Sequence, residues 1–168
     1  MNKINRKLEY ALIGLKHMRA KMPGELTSVK ELTQAYGCPF EAASRVMQVL
    51  AQKGVLRSEQ GAHGGYMIAR DLTRLSFHDL SEMLLGPVAV ARCLDEEKKD
   101  TGCEMRGTCN IISPVTTLNR RLLEFYKGLS VAELLESKAR VSESKSESKS
   151  ETKSELKSEL KSEVRTEA

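Results

Sequence analysis

A mainly α fold with one small β-hairpin is what the sequence predicts, and three observations predict it. Apolar residues recur at helical spacing through several stretches. Those stretches are separated by Pro-Gly, Gly and Ser-Pro signals, and strand-like runs occur only around one glycine-rich tip, GAHGG. At 168 residues the chain is the size of one domain with appendages, long enough to bury an ordinary core. It has no Trp, three Phe and four Tyr, so that core must be largely aliphatic.

Leu8, Ala11, Leu12, Leu15 and Met18 predict a first helix over about residues 5–21, stopped before Pro23-Gly24. Ser28 and Glu31 have capping-box spacing and open a short second helix through Val29, Leu32 and Tyr36, which Gly37 ends. A third begins near Pro39, with Phe40, Ala43, Val46, Met47 and Leu50 on its apolar stripe. VLRSEQ and GGYMIAR then flank the glycine-rich tip as a hairpin. Ser76 to Leu85 is a further short helix, closed by Gly86-Pro87. Ser113-Pro114 supplies an N-cap and a first-turn proline for a longer helix carrying Val115, Leu118, Leu122 and Phe125 up to Gly128. Ser130 and Glu133 open a last short helix.

From Ser142 the chain repeats S-E-x-K, with like charges at i, i+4 spacing and almost nothing to bury, so we expect a solvated, disordered tail. The expected organisation is a winged domain over 1–86, a cysteine-rich loop over 87–112, helices over 113–136 and a charged tail over 137–168. The net charge of +4 is a mild bias toward anionic partners. The apolar run near the N-terminus is too short for a signal-peptide core or a bilayer span, so a cytoplasmic protein without a membrane partner is expected.

A short helix, a tight turn at Tyr36-Gly37-Cys38 and a second helix make a helix-turn-helix, and a hairpin directly afterward makes it a winged helix. The polar side of the third helix holds Glu41, Ser44, Arg45, Gln48 and Gln52. Arg can bond a guanine bidentately, Gln an adenine, and Ser either a base or a phosphate. In the wing, Arg57, His63 and Arg70 flank the tip, and Gly64 and Gly65 let backbone approach a sugar-phosphate strand. The bland alternative is a compact packing module whose glycines only satisfy turn geometry.

CLDEEKKDTGCEMRGTC places Cys93, Cys103 and Cys109 in one polar stretch, with nine and five residues between them. A loop this polar has little core to offer a buried thiol. Structural zinc favours C-x2-4-C knuckles, which these spacings do not match. A thiol-disulfide switch and an iron–sulfur cluster are both open, and soft thiolates are the natural ligands of the latter.

The order of SVKEL…YG, LAQKGVLRSEQGAHGGYMIAR, three-cysteine loop and long helix resembles the IscR/NsrR-type iron-sulfur winged-helix transcription regulators, over roughly residues 3–136. The segment KGVLRS…G..GGY.IAR is the most specific part. The resemblance implies a cluster, 2Fe-2S or 4Fe-4S, bound by Cys93, Cys103 and Cys109. Some relatives add a histidine three residues after the last cysteine, where Ile112 stands here. Others add a carboxylate from the partner's first helix, a position that matches Glu9, followed by Tyr10. Many relatives have five residues in both cysteine gaps, so the nine-residue first gap departs from the pattern. Cys38 has no counterpart role and is expected to be structural; His17 is a weaker alternative ligand.

The expected function is a homodimeric, sequence-specific regulator of transcription that binds double-stranded DNA and senses redox, nitric oxide or iron status through the cluster. Its dimer joins through the helix from Pro114 to Tyr126. The alternatives are a cluster-free thiol-switch regulator of the same fold and a protein-interaction adaptor. No nucleophile-base pair, phosphate-cradling loop or paired acid points to an enzyme.

Overall fold

A computed structural model describes residues 4–61, 64–94, 103, 105 and 107–136; the other positions, among them His63 and the repeat from Ser142, lie outside the described residues. The chain through Glu136 forms one unit. Its order is α1 (Arg6–Arg19), α2 (Val29–Tyr36), α3 (Phe40–Gln52), β1 (Leu56–Glu59), β2 (Gly65–Ile68), α4 (Phe77–Leu85), a 3₁₀ turn (Arg92–Leu94), α5 (Ile112–Gly128) and α6 (Val131–Glu136). This is the mainly helical winged helix-turn-helix that the sequence predicts.

The core is the inner side of α1, α2, α3 and α4, closed by α6. Leu15, Leu32, Met47, Leu50, Leu75 and Leu80 are buried almost completely, and Val131 joins them from α6. α3 packs against both α1 and α4. Burying side chains of this size stabilises the fold by about 1.5–3 kcal/mol each. Phe40 departs from the expected stripe: at the first turn of α3 it is 54% exposed, beyond the reach of the core.

Caps set the helix ends. Asn5 accepts from the Lys7 amide to open α1, and Ser28 accepts from the Glu31 amide to open α2. The reciprocal half of the box expected there does not form, because the Glu31 carboxylate turns instead to His17 and Lys21. Ser76 and Asp79 make the full reciprocal box at α4. The Ser76 hydrogen bond to the Asp79 side chain holds that carboxyl below its ordinary range. α5 starts two residues earlier than Ser113-Pro114 suggested, with Ile111 in the cap position. Pro114 still falls in the first turn, where its missing N–H has no intrahelical acceptor to lose.

The wing is antiparallel, with Leu56 opposite Ile68 and Glu59 opposite Gly65. Thr27 forms an extra bridge to it, its amide donating to the Tyr66 carbonyl and its carbonyl accepting from the Tyr66 amide, both at 2.9 Å. Gly65 is required at this junction: a Cβ there would stand 2.8 Å from the Thr27 carbonyl oxygen. A second bridge, Ser76 with Ser130, draws the start of α6 onto the start of α4. There the Val131 amide donates to the Leu75 carbonyl at 2.8 Å.

Gly65→Ala should therefore destabilise the fold by about 1–3 kcal/mol in urea unfolding, the usual range for overpacking. Hydrogen exchange should show protection lost first at the Thr27 and Tyr66 amides; unchanged protection there would contradict the packing account.

Candidate nucleic-acid interface and cysteine segment

The turn between α2 and α3 depends on Gly37, whose φ of 67° is the left-handed conformation that closes α2. Next to it Cys38 is only 4% exposed and belongs to the core, which fits the structural role expected for it. α2 is fastened to α1 by a polar cluster. The His17 ring lies between Glu31, 2.7 Å from Nε2, and the Tyr36 hydroxyl, 3.0 Å from Nδ1. A neutral ring that donates from Nε2 to the carboxylate accepts the Tyr36 hydroxyl at Nδ1.

Lys21 Nζ lies 2.7 Å from Glu31 and also donates to the Leu26 carbonyl. Burial works to raise the Glu31 carboxyl, but the hydrogen bonds from Lys21 and His17 outweigh it and leave the group below its ordinary range. His17, weighed above as a ligand, is thus committed on both ring nitrogens to this joint. Sequence reading missed the cluster because its bonded pairs are 10 to 19 residues apart and belong to different segments.

α3 turns Ala43, Val46, Met47 and Leu50 inward, which leaves Glu41, Arg45, Gln48 and Gln52 exposed on the outer side, with Ser44 half-buried at its edge. The outer side also walls a groove of about 730 Å³. Arg45, Gln48 and Gln52 stand on one bank and Arg6, Lys7 and Tyr10 of α1 on the other, with Val49 and Leu84 also lining it. The basic pair at the start of α1 is visible in sequence, but nothing local says that it faces α3.

On the wing, Arg57 is exposed, with Glu59 3.8 Å away. Gly65 begins β2, Gly64 precedes it, and both are half-buried. A Cβ on Gly64 would come within 2.5 Å of the Glu59 carbonyl oxygen, so each of the two glycines also answers a close backbone approach inside the protein. Arg70 lies at the foot of the wing beside Lys53, Asp79 and Glu82.

All four cysteines are free. Cys93 sits in the 3₁₀ turn after α4 and Cys109 shortly before α5, both half-buried, while Cys103 is exposed. Among the described residues no three His, Cys, Asp or Glu side chains form a group that could hold a metal ion. Thiolates are nonetheless the ligand type that iron–sulfur clusters take: three unpaired thiols lie on one inter-helix segment, and the fourth, Cys38, is withdrawn into the core. Glu9 is on the first turn of α1, paired with Arg6 at 2.7 Å. Ile112 is the first residue of α5. Tyr126 of that helix packs edge-on against Phe77 of α4 at 5.0 Å, yet none of its 17 residues is buried. Among the described residues no helix is long and apolar enough to cross a membrane.

A helix-turn-helix with a hydrogen-bonded wing and a polar outer side on its second helix defines the class as a winged-helix DNA-binding protein. Residues 4–137 match Rrf2, described as an iron-dependent transcriptional regulator, and the chain belongs to this family of transcriptional regulators. It is 24% identical over 128 residues to a protein of Aquifex aeolicus assigned by name to the HTH-type transcriptional regulators; the match covers 76% of this chain and 88% of the relative.

Among solved structures, CymR, the global cysteine regulator of B. subtilis, is similar with a TM-score of 0.60 and 20% identity, over 80% of this chain and 97% of CymR. T. potens IscR gives a TM-score of 0.57 and 18% identity, over 80% of this chain and 86% of that one. At these identities the two structures speak for the fold.

The Glu31 joint carries a pH signature. A carboxyl lowered by folding contributes stability that is present above its unfolded pKa and lost as pH falls through the folded value. Glu31→Gln should thus cost about 1 kcal/mol or less at neutral pH, because the pair is partly exposed. Thermal unfolding of the two proteins should converge as pH drops below about 4. A gap that persists unchanged in acid would mean that the charge of Glu31 is not what holds α2.

Proposed function

We propose that this chain acts in the cytoplasm as a homodimeric, sequence-specific regulator of transcription, controlled by an iron–sulfur cluster of the 2Fe-2S or 4Fe-4S kind. Cys93, Cys103 and Cys109 would hold it, with Glu9 of the partner subunit as the fourth ligand. The observation that carries this reading is the set of three free thiols on the segment that joins α4 to α5. When bound, such a cluster supplies a redox-active centre whose potential follows its ligands, hydrogen bonding and exposure.

The chain's own residues do the rest. α4 packs against α3 on one side and α5 on the other, so ordering of the thiol segment bears on the angle between them. Ser44, Arg45, Gln48 and Gln52 face the bases and phosphates of the major groove, and the wing, with Arg57, Gly64 and Gly65, lies along the backbone. Half-sites of a two-fold operator are one helical turn or a multiple apart, so a small rotation of one reading head lowers specific affinity.

Support for the dimer comes from α5. Ile111, Val115, Leu118, Leu122 and Phe125 follow one another at steps of four and three, the spacing of a coiled-coil seam. Ile111, Leu118 and Phe125 are 57%, 58% and 61% exposed and Val115 and Leu122 half-buried, so among the described residues the seam is only partly covered. Pairing two such helices would bury it, at about 1.5–3 kcal/mol for each large side chain covered.

A cluster-free thiol switch is the second reading, favoured by the exposure of Cys103 beside two half-buried thiols on the same segment. Protein purified without oxygen separates the two. A brown colour, charge-transfer absorption, and iron and sulfide in matching amounts are expected, all reduced in Cys109→Ser. Colourless protein after reconstitution, with a Cys93, Cys103 or Cys109 disulfide on oxidation, would replace the cluster with the switch. Leu118→Glu should convert the dimer to monomer in sedimentation velocity and abolish binding to a two-fold site; a dimer that survives it must join elsewhere.

A further inference from the structure

We infer that the N-terminal turn of α1 is a second DNA contact, independent of sequence, in which Arg6 and above all Lys7 hold a backbone phosphate beside the major groove that α3 reads. This rests on the reading of α3 as the recognition helix. The groove beside α3 has two banks, and they are chemically unlike. One is the row Arg45, Gln48 and Gln52, whose side chains suit base edges. The other is the first turn of α1, whose two lining side chains, Arg6 and Lys7, are both cations of the kind that hold phosphates.

Both banks line one concavity, so a duplex seated on α3 brings a sugar-phosphate strand over α1. Arg6, Lys7 and Arg45 oppose a single carboxylate of the lining, Glu41, and that excess of positive charge suits a polyanion. The two α1 cations are not equivalent. Arg6 is paired with Glu9 at 2.7 Å, and that carboxylate partly cancels its charge toward a phosphate. Lys7 is exposed, and among the described residues no ion pair involves it. Its backbone amide donates to the Asn5 side-chain oxygen at 2.9 Å, which fixes the turn while leaving the ammonium free to move.

The test is salt-dependent binding of the full chain to two duplexes: one enriched by repeated selection from a random pool, the other of arbitrary sequence. Lys7→Ala should weaken both by the same factor, roughly 2- to 10-fold, and reduce the slope of log K against log salt by about 0.9. Lys7→Arg should restore the affinity and the slope. Arg45→Ala should instead weaken the selected duplex more than the arbitrary one.

Unchanged affinity in Lys7→Ala would overturn the inference while leaving α3 as the reader. A loss confined to the selected duplex would also overturn it, since it would make Lys7 a base contact. A loss accompanied by dissociation of the dimer would assign this turn to the subunit interface and overturn it likewise. Failure of the wild-type chain to bind either duplex would remove the reading of α3 itself, and the inference with it.

Discussion

The seating of α3 between α1 and α4 governs everything else in this molecule. Met47 has no exposed surface, and its terminal methyl lies where a side chain on Gly14 would have to go: a Cβ at that position would be 2.6 Å from it. Glycine in mid-helix ordinarily weakens a helix by about 1 kcal/mol. Here it lets a methionine of α3 reach the backbone of α1, and methionine is the side chain best able to fill such an irregular space. With its inner side fully committed in this way, α3 presents the opposite side at a fixed angle. A reading surface needs that fixity, because hydrogen bonds to base edges tolerate little misplacement.

Around that seat the polar contacts act as fasteners between elements. His17, Lys21 and Glu31 join α1 to α2, so the first helix of the helix-turn-helix is referenced to the same body as the second. Thr27 performs the equivalent service for the wing, taking β2 into a two-bond bridge ahead of α2. Arg19 reaches Glu136 and the Ala132 carbonyl, tying the end of α1 to α6. α5 meets the body through the Val90 amide, which donates to Asn119 Oδ1 at 3.0 Å, and through Tyr126, set edge-on against Phe77.

The sequence was most legible where the signal is local. Helical spacing and the Ser28, Ser76 and Ser130 caps placed α2, α4 and α6, since a cap is a bond between neighbours three residues apart. Gly37 announced the turn because few other residues accept its conformation. The reading fell short where two distant segments compete for one group. Glu31 has the spacing to complete a capping box, but a histidine of α1 and a lysine just past the end of that helix claim its carboxylate. Phe40 has the period of a core residue, yet it lies one turn beyond the end of the core it would join.

The candidate site divides on the same line. Three thiols in one segment and a polar stripe on α3 are patterns within single stretches. That Arg6 and Lys7 share a groove with Arg45 is a fact of tertiary packing, which no spacing encodes.

α6 is short, but Val131, Ala132 and Leu135 are all buried in the core of the helix-turn-helix body, and the Leu72 and Leu75 carbonyls accept from the Ala132 and Val131 amides. A nascent chain emerging from the ribosome therefore exposes α1 through α4 well before it can seal them. The interior closes only after α5 has been translated in full, so synthesis itself ensures that no finished reading head exists without the long helix attached to it.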